Sequence, residues 1–87
     1  MSEYLKAQLR EYDRRLAGRG AAPERTDGHM EGFHKAMGHA RWMIQTLLCE
    51  GDSFPPAEIH TWVGFIRGIL WARNLITFEE ARGSCHE

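Results

Sequence analysis

Five histidines and two cysteines are the residues of this 87-residue chain best suited to hold a metal ion or attack a substrate. Their spacing argues against both roles. His29, His34 and His39 follow one another at intervals of five. On a helix, positions five apart turn by about 140° from one to the next, so the three rings diverge. A helical zinc pair needs histidines four apart, as in HExxH; this segment reads HMEGFH. His60 stands in a later segment, and Cys85-His86 near the C-terminal end is a weak zinc signal. Cys49 sits beside Glu50 near an expected helix C-terminus, a setting that does not activate a nucleophile. No G-x-S-x-G, P-loop or dinucleotide fingerprint occurs. The expectation is no metal, no cofactor and no enzyme activity.

Charge excludes further classes. Eleven basic and twelve acidic residues leave a net charge of −1, which exerts no general pull toward nucleic acid or acidic lipid. Arg14, Arg15, Arg19 and Arg25 are the one group that could contact an anion or steer an acidic partner. A helix-turn-helix is not expected. The recognition position, after GDSFPP, holds the greasiest helix in the chain, which cannot be core and also lie in a DNA groove. No run of 18 apolar residues occurs, because His60, Arg67 and Arg73 interrupt the greasiest stretch, so no membrane span is expected. The opening MSEYLKAQLRE has no signal-type apolar run, and two unrelated cysteines read as free thiols. A cytoplasmic location follows as an expectation.

Hydrophobic periodicity predicts an all-α fold, a single helical domain over residues 1–87. A first helix spans about 3–18, with Ser2 as its cap and Leu5, Leu9, Tyr12 and Leu16 as a narrow apolar stripe. Gly18 and Gly20 end it, and residues 18–27 form a loop broken by Pro23. Thr26 or Asp27 caps a second helix over about 28–49, whose stripe runs through Met30, Phe33, Met37, Ala40, Ile44 and Leu47. A third helix covers about 55–73, opened by Pro55 and Pro56, capped by Ser53, with Phe54 stapled near Ile59 or Trp62. Asn74 closes it in a left-handed conformation. Thr77 to Glu80 reads as a capping box for a short helix over about 78–82, and 83–87 is expected to be a loose tail. The predicted core is Leu9, Tyr12, Leu16, Phe33, Met37, Ala40, Ile44, Leu47, Ile59, Trp62, Val63, Ile66, Ile69 and Leu70.

The third helix is apolar on nearly every side. His60, Arg67 and Asn74, seven apart, form its thin polar strip and are expected to face water. Gly64, Gly68 and Ala72 recur every four residues, flanked by Phe65 and Trp71. Each helical glycine costs about 1 kcal/mol relative to alanine, so close helix packing is the expected compensation. Gly28, Gly32, Ala36 and Ala40 make a matching row on the second helix. The glycine stripe therefore packs either against that row or across a two-fold to a second copy, and a homodimer is expected. Trp42 lies off the second helix's stripe, with Lys35 and His39 on a polar face. A large aromatic there marks either a loop-covered position or an interface anchor.

The run Trp62-Val63-Gly64-Phe65, then Gly68-Ile69-Leu70-Trp71, then Ile76-Thr77-Phe78-Glu79-Glu80 resembles small accessory proteins of temperate bacteriophages. The resemblance covers about 25 residues and implies a stoichiometric inhibitor that binds and occludes a host protein complex. The expected partner-binding residues are Lys35, His39 and Trp42, or Phe65 and Trp71. The alternatives are a small-ligand sequestering oligomer, with a Trp- and Arg-lined pocket between subunits, or a nucleic-acid-associated accessory protein.

Overall fold

The computed structural model describes residues 1–82. The chain is all-α, a small bundle of α1 (Glu3–Gly18), α2 (Phe33–Glu50), α3 (Pro56–Ala72) and a short α4 (Phe78–Ala81). A single 3-10 turn, Gly51–Ser53, joins α2 to α3, and no strand occurs among the described residues. The expected tail at 83–87 lies outside them, with Cys85 and His86.

Local chemistry sets most of the helix ends. The Leu5 amide donates to Ser2 Oγ at 3.1 Å and caps α1. Gly20, at φ +80°, then reverses the chain. The Gly20 and Ala21 amides donate back to Ala17 and Leu16 respectively, the five-to-two and six-to-one bonds of a Schellman ending. The same motif closes α3, where Asn74 takes φ +61° and the Leu75 amide reaches the Leu70 carbonyl at 2.8 Å. Phe54 packs edge-on against Trp62, with ring centroids 5.0 Å apart, so the expected staple forms. Both halves of the Thr77–Glu80 capping box are made. Ser53 does not cap α3: its hydroxyl donates to the Glu50 carbonyl, and Pro55 occupies the cap position.

The start of α2 differs from the sequence expectation by five residues. Thr26 and Asp27 cap nothing there; the cap is Gly32, with no side-chain hydrogen bond. Residues 19–32 instead form one long connection that lies back on α2. The Glu24 amide donates to the Gly38 carbonyl at 3.0 Å, and the Thr26 amide donates to His39 Nδ1 at 3.0 Å. Amides engaged in this way are not free to start a helix. The close approach explains Gly38, because a Cβ there would stand 2.7 Å from the Ala22 carbonyl oxygen. Arg41 adds a third tie. Its guanidinium donates to both carboxylate oxygens of Asp13 on α1, at 2.9 and 3.1 Å, and to the Ala21 carbonyl at 2.7 Å.

One core cluster joins Leu9, Tyr12 and Leu16 of α1 to Met37, Ala40, Met43, Ile44 and Leu47 of α2 and to Val63, Ile66 and Leu70 of α3, with Ala21 and Ile76 closing it. Ile59, Trp62 and Ile69 are half-buried at its edge. Phe33 is not core. It stands 66 % exposed in the first turn of α2, where the Arg73 guanidinium lies 4.1 Å from its ring centre. Met30, in the connection, is exposed as well.

The polar strip of α3 also divides differently. His60 and Asn74 face water, but Arg67 is buried at 8 % exposure. It donates to the Tyr12 hydroxyl at 3.4 Å and to Gln8 Oε1 on α1. Helix α3 is thus rolled so that Val63, Ile66, Arg67 and Leu70 point inward. This roll gives the long aliphatic stem of Arg67 apolar neighbours and its head polar ones.

Two substitutions test the ties between α2 and the connection. Gly38→Ala is expected to destabilise by about 1–3 kcal/mol, because the overpacked atom is backbone and cannot swing away. Arg41→Met is expected to cost about 1.5–3 kcal/mol through the lost charge-assisted bonds. Urea denaturation of the variants against the parent chain reads both.

Candidate functional site

Two surface features stand out, and α3 contributes to both. The first is its outer face. At about 100° per residue, Ala57, Thr61, Gly64, Gly68 and Ala72 fall within a narrow arc, with Phe65 and Trp71 on its two sides. All seven are exposed, and none carries a charge. A Cβ placed on Gly64 or Gly68 would meet nothing within 4 Å. The expected small-to-small packing against α2 therefore does not occur within the chain. Its physical reason is plain: Gly28 and Gly32 lie outside α2, so the matching row does not exist, and the roll that buries Arg67 turns the glycines outward. Phe65 is 55 % and Trp71 52 % exposed. Phe78 of α4, 63 % exposed, meets Trp71 edge-on with centroids 6.5 Å apart and extends the apolar surface.

The second feature is a cleft of about 370 Å³ between the connection, α2 and α3. Its walls are aromatic. Trp42 stacks on His39 at 5.6 Å and 25°, and leans on Trp62 at 5.8 Å. Phe65 meets His39 edge-on at 6.2 Å. Arg25 lines it too, with its guanidinium carbon 5.1 Å from the Trp42 ring centre, and its Nε donates to Asp27 Oδ1 at 2.8 Å. Trp42 is thus covered by the connection in part, and is half-buried.

His39 holds the connection in place. Its Nδ1 accepts the Thr26 amide, so the ring is neutral and Nε2 carries the proton. Burial pushes its pKa below the ordinary value; the nearby Asp27 carboxylate opposes that shift and Arg25 adds to it.

The four arginines do not form an open cationic strip. Arg14 and Arg15 both bond Glu11, whose carboxyl they hold below the usual carboxylate range. Arg15 also donates to the Leu75 carbonyl and to Glu80, tying α1 to α4. Arg19 reaches the Arg73 carbonyl. Arg25 alone sits at a candidate site, the cleft. Of the other expected contacts, His39, Trp42 and Phe65 come together there, Lys35 lies a turn before His39 and pairs with Glu31, and Trp71 belongs to the outer face. Among the described residues no cluster of three His, Cys, Asp or Glu could hold a metal, Cys49 is an exposed free thiol, and no helix is long and apolar enough to cross a membrane.

Thr26, Asp27 and Trp62 line the cleft without having been singled out for it. Trp62 reads as core by periodicity, and nothing in a linear sequence tells that residues 25–27 return to a helix that starts at Phe33. The sequence matches no protein-family model, and no curated protein or solved structure is significantly similar to it.

The His39 contact predicts a pH response. Since its folded pKa lies below about 6.5, the opened state takes up a proton that the closed state refuses. Stability of the connection is therefore full at neutral pH, falls as pH drops below about 6.5, and levels off beneath the folded pKa. The hydrogen-exchange protection factor of the Thr26 amide should fall as pH drops below about 6.5, before Glu11 and Glu80, whose carboxyls are held below the usual carboxylate range, take up protons. His39→Gln, which keeps an acceptor and does not titrate, should flatten the response.

Proposed function

We propose that this protein is a non-enzymatic protein–protein interaction module that works as a homodimer and acts by occlusion. The observation that carries the reading is the outer face of α3: about four turns of exposed helix without a charge, bordered by Phe65 and Trp71. An apolar face of that kind loses free energy when water is displaced from it. A second copy suits it. Two uncharged faces meet across a two-fold without like-charge repulsion, and Gly64 and Gly68 let two helix backbones approach. The surface left for a target then includes Lys35, His39 and Trp42. The resemblance of residues 62–80 to phage accessory proteins supports a bacterial host protein complex as that target, and hence action in the host cytoplasm.

A second reading, a small-ligand sequestrant, is favoured by one observation, the cleft lined by Trp42, Trp62 and Arg25. It differs from the sequence expectation in lying within one chain. A sequestrant would gain thermal stability in proportion to RT ln(1 + [L]/Kd) with its ligand.

The dimer reading is tested by light scattering after size exclusion at about 0.1 mM protein, a concentration that populates a micromolar dimer. The parent chain should run as a dimer and Trp71→Glu as a monomer of unchanged helix content. Gly64→Ala and Gly68→Ala separate the two roles of the glycines. Each should stabilise the single chain by up to about 1 kcal/mol, through helix propensity, while weakening the dimer. A parent chain that stays monomeric, or dimers indifferent to Trp71→Glu, would overturn the reading.

A further inference from the structure

The aromatic cleft already has a cation on it, and the cation belongs to the chain itself. The Arg25 guanidinium rests on Trp42 and is held by Asp27. Trp42 presents a ring face to that guanidinium, and an aromatic quadrupole favours positive charge over its face; Trp62 and Phe65 line the same cleft. The neutral His39 ring adds no opposing charge. Arg25 and Asp27 are both well exposed, at 61 % and 76 % of their side-chain surface. An exposed cation–π contact of this kind is worth only about a two- to fivefold preference, so an incoming cation displaces Arg25 at little cost. What remains after displacement is an aromatic box with one carboxylate at its rim, an arrangement that matches a planar guanidinium.

We infer that the cleft is a receptor for an arginine side chain of the protein partner, and that Arg25 is an internal placeholder which the partner's guanidinium replaces on Trp42 and Asp27. The cleft opens at the protein surface beside exposed Phe65, which suits a side chain projecting from a larger molecule. The inference rests on the interaction reading above for the source of the arginine; the cation preference of the cleft stands on its own geometry.

The test uses the full chain and needs no partner protein. N-acetylarginine amide is titrated while the three indole N–H resonances are followed by NMR, with N-acetylcitrulline amide as the uncharged isostere. The signals of Trp42 and Trp62 should move saturably, and that of Trp71, on the outer face, should not. Arg25→Ala should bind the arginine probe about two- to fivefold more tightly than the parent chain, the value of one exposed cation–π contact, and Asp27→Asn more weakly than the parent. Equal binding of the citrulline probe, or no gain in Arg25→Ala, would overturn the cation site. Free arginine binding about tenfold more tightly than the capped probe, a difference of about 1.4 kcal/mol, would overturn the partner side chain as source and favour a small-molecule sequestrant. Phe65 is shared with the outer face, but the citrulline comparison and the Arg25 and Asp27 variants read the cleft, whereas oligomeric state reads the outer face, so the two failures are distinguishable.

Discussion

Among the described residues, a helix that is apolar on nearly every side packs its buried residues against α1 and α2 along one side. That imbalance governs the molecule. Helices α1 and α2 supply one stripe each, and both stripes join the cluster that buries Val63, Ile66 and Leu70. Residues 19–32 form no helix and lie against α2; they reach α3 at the cleft beside Thr61, Trp62 and Phe65 and leave its glycine row open. What is left outward is the smoothest part of the helix, the glycine row between Phe65 and Trp71. Hydrophobic burial therefore holds the bundle together and also leaves an uncharged helix face exposed.

The long connection does two things at once. Three neighbouring positions of α2 receive it: the Gly38 carbonyl, the His39 ring and the Arg41 guanidinium. Each contact satisfies a backbone group that would otherwise compete for water. The same docking carries Arg25 and Asp27 to the mouth of the aromatic cleft. A segment held by a few polar bonds opens at lower free energy than the core does. The cleft is in this way framed by helices on two sides and by this polar-bonded segment on the third.

Buried Arg67 explains why α3 presents the face it does. With its guanidinium bonded to Tyr12 and Gln8, the helix cannot turn the glycine row inward without exposing Leu70 and withdrawing that head from its partners. A buried hydrogen-bonded charge is costly to disturb. It acts here as a register pin between α1 and α3, and the orientation of the outer face follows from it.

Much of this architecture is written locally. Ser2, Gly20, Asn74 and the Thr77–Glu80 box end or begin helices through bonds to backbone a few residues away, and the stripes of α1 and α2 and the apolar mass of α3 declare themselves by period. Such features depend on near neighbours in the chain, and the sequence determines them by itself. The late start of α2, the exposure of Phe33, the burial of Arg67 and the meeting of Arg25 with Trp42 and Trp62 depend on groups far apart in sequence. Helical periodicity tells that α3 is apolar all round, but carries no information on which side its neighbours will take. The tertiary structure decided that, because the choice turns on where one guanidinium finds its hydrogen-bond partners and where one loop lays down its amides.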